Sequence, residues 1–188
     1  MALAMQRMIV APLILLAGAL AGLASAIAGI ELYAATPAAP GSPWQTWDSG
    51  TGQGQPYALG HYLLSGRFPP AAGQMREFSS RSADDGSALN AACDYVLASK
   101  SPPPLWWSMA TFAGSRAGGQ SNAVITADTA IAESDGSMRL NVSRLPSGGN
   151  WIRPVASGSF ALIFTVAEPS PNSPHQATPL FSIERGAC

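Results

Sequence analysis

LNAACDYVL, residues 89–97, alternates strictly: Leu89, Ala91, Cys93, Tyr95 and Leu97 share one parity, Asn90, Ala92, Asp94 and Val96 the other. A period of two marks a half-buried β-strand, because successive side chains leave opposite faces of the pleat. The pattern returns at residues 138–143, where Met138, Leu140 and Val142 alternate with Arg139, Asn141 and Ser143. Residues 160–166 (FALIFTV) are apolar at both parities, which predicts a central strand covered on both faces. Turn residues punctuate these runs at Asp84-Asp85-Gly86, Asp135-Gly136 and Pro102-Pro103-Pro104. Short strands separated by such turns predict a mainly β fold, a jelly-roll-like antiparallel β-sandwich.

One short helix stands ahead of the strands, over residues 56–64 (PYALGHYLL). Pro56 suits a first helical turn, Leu59 and Leu63 share a face, and Gly66 can end the helix before Pro69-Pro70.

Further upstream, residues 8–30 carry no charge and are bounded by Arg7 and Glu31. A helix of that length spans about 34 Å, enough for a hydrocarbon core. Arg7 before the run, with no positive charge close after it, predicts an N-terminus inside and a domain outside. Two readings compete: an uncleaved signal anchor, and a signal peptide cut near Ala24-Ser25-Ala26. The run is longer than the ~7–15 residues of a signal-peptide core, which favours the anchor. Gly18, Gly22 and Ala26 recur every four residues on one face, the spacing at which two transmembrane helices approach closely. Residues 1–34 are thus expected as a transmembrane anchor and 35–43 as a Pro-rich, semi-rigid spacer holding the domain off the bilayer. Residues 44–188 form the exported β domain. The location that follows is the cytoplasmic membrane, single-pass, with the domain in the periplasm.

Composition excludes several functions. With 10 basic and 11 acidic residues the net charge is −1, so no polycationic surface for nucleic acid is expected. Two His and two Cys are too few for a zinc finger or ribbon, and no metal or cofactor is expected. An even pair of cysteines outside the cytoplasm suggests a disulfide between Cys93 and Cys188, the alternative being two free thiols.

Ser42-Pro43-Trp44, Pro56-Tyr57-Ala58, Met75-Arg76-Glu77-Phe78, Asp84-Asp85-Gly86 and Cys93-Asp94-Tyr95 follow one another in a telling order. Trp106-Trp107-Ser108-Met109, Asp135-Gly136-Ser137, Asn150-Trp151-Ile152-Arg153-Pro154 and a final Cys188 continue it. That series resembles the domain-of-unknown-function 1214 family, in its short membrane-anchored bacterial members, over residues 42–188. The resemblance implies a jelly-roll-like domain, a terminal disulfide and a partner. In longer relatives this domain follows a domain of the 1254 family in one polypeptide, so a separately encoded companion is implied here. Where the family runs on with a Tyr-Asp-rich strand, this chain has Ala110-Thr111-Phe112-Ala113, and no polar role is expected there.

Candidate chemistry is sparse. His61 lies in the short helix and His175 in a Pro-rich loop, neither with a carboxylate or thiol beside it in sequence. No G-x-S-x-G elbow is present. Asp84-Asp85 before Gly86 reads as a water-exposed turn. The tryptophans carry more. Trp106 and Trp107 must point to opposite sides of one strand. With Asn150, Trp151 and Arg153 they form a candidate contact surface for a protein or a sugar. The leading expectation is a membrane-anchored, non-enzymatic subunit of a larger complex. Glycan or small-molecule binding near Trp107 and Trp151 is the alternative, and a hydrolase built on a histidine the third.

Overall fold

The structure, a computed structural model, describes residues 2–33, 35–47, 56–71, 74–101, 105–113, 121–167 and 180–188. His175 and the Pro102–Pro104 turn lie outside the described residues. Helix α1 (Ala2–Tyr33) is 32 residues long and carries Pro12. The remainder is mainly β. The larger sheet takes the order β1 (Thr36–Pro37), β2 (Gln45–Thr46), β3 (Met75–Ser80), β9 (Phe160–Ala167), β5 (Trp107–Ala113) and β6 (Ser121–Thr126). The smaller follows β10 (Ser182–Arg185), β4 (Tyr95–Ser99), β7 (Met138–Val142) and β8 (Asn150–Ile152). Every pairing is antiparallel except β7 with β8.

The two sheets share one core. Phe78, Met109, Phe164 and Trp107 from the larger sheet meet Tyr95, Leu97, Leu140, Ile152 and Ile183 from the smaller. Strand β9 is central, as its continuous apolar run demands: Phe160, Leu162, Phe164 and Val166 enter the shared core, while Ala161 and Ile163 are also buried on the opposite parity. Trp44 is fully buried among them and donates its indole N–H to the Phe181 carbonyl at 2.6 Å.

Three sequence expectations change in the folded chain. Burial alternates through residues 89–99, but only Tyr95–Ser99 is strand. Upstream of it the backbone spends its hydrogen bonds locally: Cys93 donates to the Asn90 carbonyl, and Ala92 to the Asn90 side chain at 2.9 Å. An Asx turn thus competes with the ladder and wins over half of the run. Residues 35–43 are not a spacer. Thr36 and Pro37 pair with Thr46 and Gln45, the chain reverses through Gly41 at φ 74°, and the resulting hairpin joins the edge of the larger sheet. Helix α2 (Pro56–Leu64) has the expected bounds and stops at Gly66, φ 64°. Its packed side is Ala58 and Tyr62, however, and Leu59 and Leu63 stand exposed.

Candidate functional site

A polar cluster forms where α2 crosses the outer side of the larger sheet. Phe78 of β3 points into the core, so its neighbour Glu77 must leave by the other face. There Arg67, just past the helix, reaches Glu77 Oε1 at 2.7 Å, the one ion pair among the described residues. The same guanidinium lies over the rings of Tyr62 and Phe112, 5.6 and 5.8 Å from their centroids. Its second nitrogen approaches His61 Nε2 at 3.3 Å. An arginine only donates, so Nε2 is the acceptor and the imidazole proton sits on Nδ1. The His61 ring stacks on Trp47 with centroids 4.1 Å apart.

Electrostatics follow from this enclosure. Burial, and then the positive charges of Arg67 and Arg81, lower the His61 pKa to about 4. Burial raises the Glu77 carboxyl above its ordinary value, against the pull of Arg67 and a hydrogen bond from Tyr62. His61 is therefore neutral at physiological pH, and its only lone pair faces a guanidinium. That occupied lone pair makes it a poor general base. The cluster is built to fasten α2 to β3. Among the described residues no three His, Cys, Asp or Glu side chains gather in a way that could hold a metal ion.

The tryptophan surface divides. Trp107 is 2 % exposed and belongs to the core, while Trp106 before it is 40 % exposed. The opposite orientations read from the sequence hold, but Trp107 contributes no surface. Asn150 is also buried: its side chain accepts from the Ile131 N–H and donates to the Ile131 carbonyl, both at 2.7 Å, and donates to the Arg139 carbonyl at 2.9 Å. It acts as a strand edge for the preceding loop. Trp151 is half-buried, donates to Ser143, and carries the Arg153 guanidinium 5.7 Å above its ring. Thr111 bonds the Arg153 carbonyl, which places that pair four residues along β5 from Trp107. Trp106 and Trp151–Arg153 are thus separate patches among the described residues, and the buried Trp107 lends no side-chain surface to a groove near Trp151.

Cys93 and Cys188 are joined by a disulfide beyond the end of the β4–β10 ladder. Gly18 and Gly22 face open space and Ala26 is exposed. Asp84 takes the Ile183 N–H, and Asp85 the Ser87 N–H within the turn. Arg67 and Glu77 escape sequence reading, since a polar residue within a strand announces no helix above it.

The family model described as "Protein of unknown function (DUF1214)" matches residues 75–171, from β3 past β9. No curated protein matches the chain. Two solved structures are similar. An uncharacterized protein from Burkholderia cenocepacia is 19 % identical with a TM-score of 0.47, over 60 % of this chain and 29 % of that one. The VPA0106 protein from Vibrio parahaemolyticus is 22 % identical with a TM-score of 0.49, over 67 % and 34 %. The chain spans about a third of the length of these structures. The matched segment covers just over half of the 188 residues and holds both central strands of the larger sheet, and this chain belongs to the DUF1214 family.

Proposed function

We propose that this is a membrane-anchored envelope protein whose β domain serves as a non-enzymatic subunit or partner of a larger membrane complex. The observation that carries the reading is the apolar run Val10–Ile30, 21 residues whose most apolar window holds no buried residue. Such a helix matches the thickness of a bilayer, and only its last residues, around Ile30, pack against the rest of the chain. On this reading α1 crosses the cytoplasmic membrane with its N-terminus inside and the domain in the periplasm, where a disulfide persists. The open Gly18, Gly22 and Ala26 face supports a second helix as neighbour. The exposed Trp106 and the Trp151–Arg153 pair are side chains of the kind that anchor protein interfaces. A companion carrying a 1254-family domain is the partner the family resemblance favours.

Glycan binding retains one support, the partly exposed Trp151 ring edged by Arg153. Titration of tryptophan fluorescence with envelope glycans tests it, and a flat response removes it.

The decisive experiment is extraction of native membranes in a mild detergent, purification through a C-terminal tag, and measurement of particle mass and composition. A stoichiometric second membrane protein, retained with the anchor intact and reduced by Trp106→Ala or Arg153→Ala, is the expected result. A monomer with nothing bound overturns the proposal.

A further inference from the structure

We infer that α2 is a membrane-interface helix, whose exposed apolar side seats in the outer headgroup layer of the bilayer that α1 spans. The inference rests on the reading of α1 as a transmembrane helix and adds a second, lateral contact with lipid.

Position is the first support. Ile30, the last residue of the apolar run, sits directly against Gly60 of α2, its Cδ1 only 2.8 Å from where a Cβ would stand. Ile30 and Ala35 also pack against the small cluster of Trp47, Ala58 and Tyr62. Helix α2 therefore lies at the level where the span ends, and not at the far side of the domain.

Chemistry is the second. Residues 56–64 contain no Lys, Arg, Asp or Glu. Tyr57, Gly60 and Leu64 follow at i, i+3 and i+7 with Leu63 beside them, so the side of the helix that receives Ile30 also carries the exposed apolar groups. Tyr57 is 50 %, Leu59 52 %, Leu63 69 % and Leu64 42 % exposed, and Phe68 in the following turn 95 %. Leu32 of α1, at the same level, is 71 % exposed. The opposite side of α2 is committed to Trp47 and, through Arg67, to Glu77. A helix apolar on the side that meets the end of a membrane span, with an aromatic at its start, has the character of an interfacial helix.

The test uses the full-length chain in vesicles of phosphatidylcholine and phosphatidylglycerol, with an environment-sensitive fluorophore on single introduced cysteines. Leu59→Cys and Leu63→Cys report on α2, Leu20→Cys on the span, and Ile131→Cys on an exposed loop of the β domain. The replaced side chains are all more than half exposed, so the fold is retained. Expected are blue-shifted emission at positions 59 and 63 and quenching there by lipids with a shallow nitroxide, several-fold stronger than at 131. Quenching by aqueous iodide at 59 and 63, as strong as at 131, overturns the inference. So does emission that is shielded from iodide but unquenched by lipid, which would assign the face to a protein neighbour or a second copy. A Leu20 probe that lipid does not quench would instead bring down the transmembrane reading of α1.

Discussion

Asn150 shows how a single side chain can replace a strand edge. Its amide satisfies both backbone groups of Ile131 and one carbonyl of Arg139, a set that needs a donor and an acceptor on one planar group. Asn150→Asp keeps the shape but turns a donor into a carboxylate facing two carbonyls. It should destabilise by about 2–4 kcal/mol in urea titration, more than Asn150→Ala at about 1–3 kcal/mol. Equal losses would show that volume matters and the amide does not. Trp44 makes a parallel case: Trp44→Phe keeps most of the ring but strands the Phe181 carbonyl, and should cost about 1–3 kcal/mol. Neither role shows in the sequence, where Asn150 stands beside Trp151 and reads as surface. Its partner, Ile131, is 19 positions away and is selected only by the fold.

At the scale of elements, the fastening of α2 onto β3 governs how the anchor meets the domain. Arg67→Ala leaves the buried Glu77 carboxyl without its counter-charge, held only by the hydrogen bond from Tyr62, and should cost about 3–5 kcal/mol. Arg67→Met combined with Glu77→Met should cost less than Arg67→Ala, because it removes the charge that would be stranded; a double variant that is the worse of the two would sink this account. The cluster also imposes a pH dependence. His61 has an ordinary value of 6.5 and about 4 in the folded chain, so above pH 6.5 both states are neutral and its contribution is complete. As pH falls from 6.5 towards 4 the unfolded chain takes up the proton first, and that stability is lost. Glu77, raised by burial, acts in the opposite sense, its contribution declining as pH rises through its elevated value. The difference in melting temperature between the wild type and His61→Gln should therefore shrink from pH 7 to pH 4.5; a constant difference would mean that His61 takes up its proton alike in the folded and unfolded chain. The bounds of α2 were legible because Pro56 and Gly66 act locally through backbone geometry. Its packed side was not, since Leu59 and Ala58 differ in what lies above them, and that is decided by Trp47 and Ile30.

Across the whole molecule, the chain is closed by a bond between Cys93 and Cys188, 95 positions apart. Loop-closure entropy for that separation sets a ceiling of about 4.7 kcal/mol, and Cys188→Ser should lower stability by about 2–4 kcal/mol with the two sheets retained. Unchanged denaturant midpoints in the presence and absence of reductant would contradict this. By itself the sequence determined the class of the fold, the central place of residues 160–166, the N-terminal apolar helix, the opposed faces of Trp106 and Trp107, and the cysteine pairing. Each rests on periodicity, apolar length or a count of two, which survive whatever the rest of the chain does. Only the tertiary structure decided that the expected spacer is a sheet-edge hairpin, that the tryptophan surface is two patches, and that α2 rides between the end of α1 and the outer side of the larger sheet. Those outcomes depend on which distant residue arrives opposite each position, and composition and spacing hold no record of that meeting.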